Sequence, residues 1–314
     1  VSRLRVGLLS NPSAAGGAAH RIGRQVGHLL QLSGISVVDL TAPTAPVARA
    51  RALEVRDDLT ALVVVGGDGT VSLGAEIVAD SPVRLGVVPA GSGNDFARAA
   101  GLVQGDVEES VRQMLQALSR PVVAVDAIEI RSEGTGAPHR SIALGNVSLG
   151  FDAQVNARAN ELRMNPRLRY MTALAQELRS FAPLPYLVTI DDGDPVPLDA
   201  SLVTVANSGI LGGGMLLSPY SRLDDGILEV ATLEGLGRAG LVRFLPRVFS
   251  GRHLSVPGFR LRSARRVKVE LREPVRLRAY ADGEPRSALP VVAEVLPGAV
   301  RLLADLPGAE PPSR

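Results

Sequence analysis

Two glycine-rich loops constrain this chain more than any other feature. Gly66-Gly67-Asp68-Gly69-Thr70 follows the apolar run Ala61 to Val65, and Gly91-Ser92-Gly93-Asn94-Asp95 follows Leu85 to Val88. Glycine lets a backbone reach positive φ and approach a ligand closely. A helix that follows such a loop offers its free N–H groups to an anion. Taken singly, each loop is also readable as a tight strand-to-helix turn. Together, each with an acid and a hydroxyl, they describe a nucleoside triphosphate site with its metal, and hence a phosphotransferase. A Walker A loop needs a Lys before its Ser or Thr, and the only Lys is Lys268, far from either loop. A dinucleotide fingerprint wants a third glycine where this chain has Phe96.

Around these loops, residues 3 to about 124 alternate strand and helix signals. Strands are expected at Leu4 to Leu9, Ile35 to Leu40, Ala61 to Val65 and Leu85 to Val88. Helices are expected at about Ala18 to Leu32, near Pro46 to Leu53, after Thr70, after Asn94 and from Glu108 to Leu118. Repeated βα units make a parallel sheet covered by helices on both faces, with ligands at the carboxyl ends of the strands. Both glycine loops fall there.

After Pro121 the pattern changes to strands: Val123 to Ile130, Ser141 to Leu149, Tyr186 to Ile190, Leu198 to Ala206, Ile227 to Leu233, Arg265 to Leu271, Val275 to Tyr280 and Val291 to Leu296. Asp192-Gly193, Asp225-Gly226 and Asp282-Gly283 mark turns between them. Two helices interrupt, about Ala153 to Phe181 and Arg238 to Phe249. The second domain therefore reads as mostly antiparallel β, a sandwich or barrel. The tail from Pro307 to Arg314 reads as disordered.

Composition narrows the chemistry. A length of 314 residues suits about two domains. Aromatic residues make up only 3%, with no Trp, which argues against stacking platforms for single-stranded nucleic acid. Without Cys there is no disulfide and no thiolate site. His20, His28, His139 and His253 are not spaced as zinc ligands. With no run of 18 apolar residues, no spanning helix is expected. No secretory leader is read at the N-terminus, and a cytoplasmic protein is expected. Net charge is only +2, yet Arg260 to Arg278 holds eight basic residues against Glu270 and Glu273. That segment reads either as a patch for anionic lipid headgroups or as a solvated strand face.

The loops belong to a longer series. Asn11-Pro12 and a small-residue loop follow the first strand. Next come Gly66 to Thr70, Pro89-Ala90-Gly91-Ser92-Gly93-Asn94-Asp95-Phe96-Ala97, and Asn146 to Gly150-Phe151-Asp152. Pro219 with Leu223-Asp224-Asp225-Gly226, and Asp282-Gly283-Glu284, complete it. In this order the motifs resemble the diacylglycerol kinase catalytic-domain family, which includes soluble bacterial diacylglycerol and lipid kinases and is related to sphingosine kinases. The first loop is shared with NAD kinases and loosely with phosphofructokinases; the second selects the lipid-kinase branch.

The resemblance implies an α/β plus β fold. An N-terminal Rossmann-like α/β domain, like that of NAD kinases and phosphofructokinases, spans 1–124. A mainly antiparallel β-sandwich domain spans 125–299, and about 300–314 returns to the first domain. ATP would lie in the cleft between domains. Carried over by motif, Asn11, Pro12, Ser13, Gly16, Thr41, Gly66, Gly67, Asp68, Gly69, Thr70, Ser92 and Asn94 would line the nucleotide. Asp68, Asp95 and Asp126 would form a polar network near the phosphates, with Asp68 and Asp95 in catalysis. Asp225 and the backbone carbonyls of Arg222 and Ile227 would hold a structural Mg²⁺, a hard cation suited to oxygen ligands. Glu284 falls on the family's general base.

Ser92 stands where Thr is more common and keeps the hydroxyl. Gly17 and Ala18 stand where bacterial members often place a Lys, and Arg21 or Arg24 could reach the phosphates instead. The stretch Ile210 to Leu217 could gate an apolar acceptor or be a mobile loop. The expected activity is transfer of the γ-phosphate of ATP to a lipid hydroxyl, most directly diacylglycerol to phosphatidic acid, at the inner membrane face. Alternatives are a sphingoid-base, glycolipid or NAD kinase, or a non-catalytic lipid- or nucleotide-binding regulator. Expected partners are ATP, a membrane lipid and an anionic membrane surface, without nucleic acid; a homodimer is left open.

Overall fold

Apolar runs of four to six residues in the first part of the chain become parallel strands, because helices cover both of their faces. The computed structural model describes residues 4–12, 18–133, 140–162, 164 and 166–306. The chain divides into two units. The first holds the described residues up to Asp126, the short piece Arg222–Asp224, and those from Gly298 onward. The second holds Ala127–Ser221 and Asp225–Pro297.

In the first unit, β1 (Arg5–Ser10), α1 (Ala18–Leu32), β2 (Ser36–Asp39), α2 (Ala45–Val55), β3 (Ala61–Gly66), α3 (Asp68–Val78), β4 (Arg84–Pro89), α4 (Asp95–Ala99) and α5 (Val107–Leu118) follow in order. The strands pair in parallel in the order β2-β1-β3-β4. A fifth parallel strand comes from late in the chain, where Arg301 and Leu302 pair with Arg84 and Leu85. β3 is buried at every residue, as a central strand between two helical layers must be. Val6, Leu8, Val63 and Val65 pack with Val26 and Leu30 of α1 and Val111 and Met114 of α5. In this order β1 lies between β2 and β3, so the winding reverses there and opens a crevice at the strand ends.

The second unit contains β5 (Val123–Ser132), which begins in the first unit, then β6 (Arg140–Ala143), β7 (Asn146–Ser148), α6 (Phe151–Glu161), α7 (Pro166–Ser180), β8 (Leu184–Ile190) and β9 (Val196–Ala206). A small hairpin, β10 (Ile210–Leu211) and β11 (Met215–Leu216), precedes β12 (Leu228–Glu234) and α8 (Arg238–Phe249). Then come β13 (Phe259–Ala264), β14 (Arg266–Leu271), β15 (Arg278–Ala281), β16 (Glu284–Ala288) and β17 (Val291–Leu302), whose end supplies the fifth strand above. Antiparallel pairing runs β16-β15-β7-β9-β8-β14-β17, with β12 joining β9 to β13. Alternating residues such as Val203, Val205, Val267 and Val269 meet in one core with Ile128, Val147 and Tyr186. A second core packs α6, α7 and α8 on β12 and β13 through Phe151, Val155, Phe244 and Phe259.

Four sequence readings are corrected here. The single helix expected over Ala153 to Phe181 is two. Leu162 leaves α6 in extended geometry, and Pro166 then opens α7, since proline lacks the N–H an interior helical position needs. The strand expected over Ser141 to Leu149 is broken at Leu144 and Gly145, for a reason given below. The strand expected from Val275 begins at Arg278, after a tight turn in which Val275 N–H donates to the Glu273 carbonyl. Helix α3 starts at Asp68, so Asp68-Gly69-Thr70 form its first turn rather than a loop before it.

Four of the eight basic residues counted between Arg260 and Arg278 face acids. Arg260 faces Glu234 at 3.6 Å, Lys268 pairs with Glu133 at 3.0 Å and Glu270 at 3.1 Å, Arg266 lies near Glu133 and Glu294, and Arg272 pairs with Asp199. Most of these acids come from neighbouring strands, outside the segment whose charge was counted. The expected mobile loop over Ile210 to Leu217 is the β10–β11 hairpin, turned by Gly212, Gly213 and Gly214, all at positive φ. Tail residues 307–314, His139, and Gly17 in the first loop lie outside the described residues.

Candidate functional site

Adjacent parallel strands β3 and β4 deliver the two glycine loops side by side. Ala90 N–H donates to the Gly66 carbonyl at 2.8 Å. One residue further, the backbones touch: a Cβ on Gly91 would fall 2.4 Å from the Cα of Gly67. No side chain fits on Gly91 without driving the two loops apart. Gly66 has a related role, since a Cβ there would lie 2.3 Å from Thr70 Oγ1, so its absence lets the buried Thr70 hydroxyl fold back against β3.

Asn94 closes the second loop on itself. Its Oδ1 accepts from Gly91 N–H at 2.9 Å, and its Nδ2 donates to the Gly91 carbonyl at 3.1 Å. It sits at φ 55°, a left-handed conformation that Asn tolerates better than most residues. Arg98 adds a bond from Nε to the Gly93 carbonyl at 3.3 Å. The loops are then joined by charge: Asp68 Oδ1 accepts from Phe96 N–H in the first turn of α4 at 3.1 Å. A Cβ on Gly93 would lie 3.0 Å from Asp68 Oδ2 and 3.8 Å from Asp95 Oδ2. Both carboxylates therefore flank one point above a glycine.

The crevice continues across β1 and β2. Asn11 N–H donates to the Val65 carbonyl at 3.2 Å, tying the end of β1 to the end of β3. Thr41 Oγ1 accepts from Ser10 N–H at 3.1 Å and shares a hydrogen bond with Ser10 Oγ at 3.0 Å. Asp39 holds the Thr41 N–H at 2.9 Å, and Arg51 donates to its carbonyl at 3.0 Å. Ser92 is exposed in the second loop, and Pro12 follows Asn11 in a turn. Ser13 and Gly16 lie outside the described residues. Arg21 and Arg24 are exposed on α1. Asp126 is buried; its N–H donates to the Leu223 carbonyl at 2.6 Å, and its Oδ1 accepts from Gly298 N–H at 2.7 Å. It thus ties β5 to two distant pieces of the first unit.

In the second unit, Glu284 opens β16 directly after a two-residue turn. Asp282 (φ 51°) and Gly283 (φ 80°) are both left-handed, and Ala281 pairs with Glu284. This is the hairpin geometry that Asp-Gly favours. The residue is exposed, yet its carboxyl is partly desolvated, which pushes its pKa above the ordinary glutamate range; Arg286 and Arg169 oppose that rise. Among the described residues, no donor hydrogen-bonds its carboxylate.

The turn expected to hold a metal is only partly built for one. Asp225 Oδ1 accepts from Ile227 N–H at 3.0 Å, and Arg222 pairs through Nε with Asp224 at 3.2 Å. No cluster of three acidic, His or Cys side chains that could hold a metal is present among the described residues. What a cation would find is the Asp225 carboxylate with backbone oxygens. Glu229 adds a second negative charge: desolvation raises its pKa, Ser263 opposes the rise, and Asp225 adds to it by repulsion.

Residues that sequence reasoning missed include Ser10, whose partnership with Thr41 follows only from the β1–β2 register, and Asn160, whose Nδ2 donates to the Gly283 carbonyl at 3.1 Å. The polar residue closing the apolar run Val6 to Leu9 was the available signal for Ser10.

Residues 5–127 match the family described as diacylglycerol kinase catalytic domain, and residues 145–304 match the YegS C-terminal NAD kinase beta sandwich-like domain. A diacylglycerol kinase of Mycobacterium tuberculosis is 30% identical over 302 residues, covering 95% of this chain and 94% of that protein. A diacylglycerol kinase of Bacillus subtilis is 27% identical, covering 73% and 72%. A crystal structure of a diacylglycerol kinase from Bacillus anthracis superposes with a TM-score of 0.73 at 22% identity, covering 97% and 98%. Yeast NADH kinase shares the fold at a TM-score of 0.55 and 12% identity, covering 96% and 82%.

The contact of the two loops generates a test. Overpacking typically costs about 1–3 kcal/mol, and here the clash is backbone against backbone. Gly91→Ala should lower Tm and weaken MgATP binding by calorimetric titration about tenfold or more, since 1.4 kcal/mol is tenfold in affinity. An unchanged titration would remove the loops from the nucleotide site.

Proposed function

The chain belongs to the diacylglycerol kinase catalytic-domain family, and on that basis we propose that it transfers the γ-phosphate of ATP to the hydroxyl of diacylglycerol, giving phosphatidic acid. The observation that carries this reading is the convergence of Asp68 and Asp95 over the touching glycine loops. Two carboxylates there would repel a bare polyphosphate and suit its magnesium complex. Backbone N–H groups in the first turn of α3 favour the phosphates, and Asn11, Thr41 and Ser10 line the crevice beside them. The lipid hydroxyl oxygen bonds to the γ-phosphorus, the bond to the β,γ-bridging oxygen breaks, and ADP leaves. Glu284 takes the hydroxyl proton. Such catalysis is mostly positioning and charge stabilisation.

A structural Mg²⁺ is the finer part of the proposal. Asp225, with carbonyls of Arg222 and Ile227, would hold it. It takes no part in the transfer.

A lipid acceptor brings the protein to a membrane, and no helix among the described residues is long and apolar enough to cross one. The exposed face of α7 supports peripheral docking at the inner face, where ATP is available. Leu168 is 60% and Met171 58% exposed, Met164 just before the helix is 41% exposed, and Ala175 continues the same stripe. Apolar side chains on a solvent face with arginines nearby suit the headgroup–acyl boundary of an anionic bilayer. Arg169 on the same helix is close enough to Glu284 to affect its charge. This face is favoured over the Arg260 to Arg278 strands as the docking surface, because four of the eight basic residues there already face acids.

Three sets of measurements test these points: turnover, metal and membrane. Offered MgATP with diacylglycerol micelles, sphingosine or NAD in parallel, the protein should phosphorylate diacylglycerol. Glu284→Gln should lower kcat by about 10²–10⁴-fold with MgATP affinity little changed; equal turnover would remove the base. The base works unprotonated, so its raised pKa places the acid limb of kcat above the ordinary glutamate value of about 4.3. A raised folded-state pKa contributes stability at low pH that is lost as pH rises through it, so Glu284→Gln should not lower Tm at neutral pH. In the second set, EDTA should lower the wild-type Tm, as loss of a bound ion requires, and Asp225→Ala should abolish that sensitivity; no shift, with metal analysis showing no bound ion, would remove the site. In the third, Leu168→Ser with Met171→Ser should reduce cosedimentation with anionic vesicles. Undiminished binding would move the docking face elsewhere.

A further inference from the structure

We propose that Asp282 and Asn160 are positioning residues for proton transfer, locking from both flanks the turn that carries the base. The proposal rests on the reading of Glu284 given above and extends it to two residues that do not touch the substrate.

Glu284 begins β16, which ends the strand order of its sheet. A two-residue hairpin on an edge has little of its own to hold it. Here the Asp282 carboxylate does so. Its Oδ2 accepts from Leu144 N–H at 3.1 Å, and its Oδ1 from Gly145 and Asn146 N–H at 3.0 and 2.9 Å. These are the donors that an unbroken strand through Leu144 and Gly145 would have spent on a neighbour, which is why β6 and β7 are separate. A Cβ on Gly145 would fall 2.4 Å from Asp282 Oδ1, so that glycine makes room for the carboxylate. The Asp282 N–H in turn donates to the Asn146 carbonyl at 3.1 Å.

On the other flank, Asn160 at the end of α6 holds the Gly283 carbonyl. The far end of α6 is fixed in the interior. Buried Asp152 accepts from Gly150 N–H at 3.1 Å and from Thr204 Oγ1 at 2.8 Å, and Tyr186 donates to the Leu149 carbonyl at 2.7 Å. The helix therefore links the turn to the interior of the unit. A general base has two needs that conflict: it must be held still, and its lone pairs must stay available. Clamping residues 282 and 283 while leaving the carboxylate of 284 without a hydrogen bond from any described residue meets both.

The test uses the full chain with MgATP and diacylglycerol in mixed micelles, comparing wild type, Glu284→Gln, Asp282→Ala, Asp282→Asn and Asn160→Ala. Small misplacement of a reacting group can cost about 10²-fold; Asp282→Ala should lose kcat on that scale with KM for MgATP unchanged. Asp282→Asn keeps an acceptor oxygen and should recover part of the loss. Asn160→Ala, at an exposed position, should lose several-fold without unfolding, and it carries the test alone if Asp282→Ala does not fold. In each active variant the acid limb of kcat should move down toward an ordinary glutamate, because a loosened turn hydrates Glu284. A fall in Tm with kcat and acid limb at wild-type values would mean a purely structural clamp and overturn the proposal. Glu284→Gln separates the two readings. If it is inactive while Asp282→Ala and Asn160→Ala behave as wild type, the base stands and the positioning falls. If Glu284→Gln turns over normally, the base assignment fails and the positioning fails with it.

Discussion

Neighbouring strands lie about 4.8 Å apart, and whatever follows two parallel strands must diverge or be small. At the ends of β3 and β4 the chain stays together because Gly67 and Gly91 have no Cβ. From that contact follow the closed Asn94 ring, the reach of Asp68 across to α4, and the meeting of two carboxylates over Gly93. Larger residues at 67 and 91 would leave the sheet intact and separate every group that gives the crevice its chemistry.

Carboxylates in this protein are used repeatedly as backbone clamps. Asp68, Asp126 and Asp225 each accept a main-chain N–H, Asp191 accepts two, from Arg265 and Arg266 at 2.8 and 2.9 Å, and Asp282 accepts three. The cause is common to all: turns and broken ladders leave donors that need partners, and a short acidic side chain reaches them. An Asp beside a glycine turn is thus ambiguous between clamp and catalyst. Glu284 differs in being one methylene longer and in leaving its own turn to be held by others.

What could be read in the sequence was what depends on neighbours along the chain. β3 was legible as five consecutive apolar residues, the loops as glycine spacing, and the Asp282-Gly283 hairpin as its residue pair. The α/β-then-β order followed from the change of period after Pro121. Features set by distant residues were not legible. Nothing between Ser141 and Leu149 reveals that Asp282 takes the donors of Leu144 to Asn146. The apparent basic field of Arg260 to Arg278 ignored Glu133, Asp199, Glu234 and Glu294, brought close by strand pairing. Pro166 was a local signal for the break between α6 and α7, overridden by apolar periodicity on either side. Among candidate site residues, Thr41 came only from the family resemblance, and its fixation by Ser10 and Arg51 required the register.

The last part of β17 has a consequence for how the molecule comes into being. Arg301 and Leu302 complete a parallel run whose other strands, β2, β1, β3 and β4, all lie before residue 90. During synthesis β4 is made more than two hundred residues before its outer partner, and until then it presents the unpaired edge that invites foreign strands. Closing it joins segments of very large sequence separation, the kind of contact that slows folding. The first unit is therefore the earlier to be translated and cannot be the earlier to be finished. A ribosome-bound chain paused in the second unit carries an open edge, and a binding partner for such an edge is a chaperone's natural target.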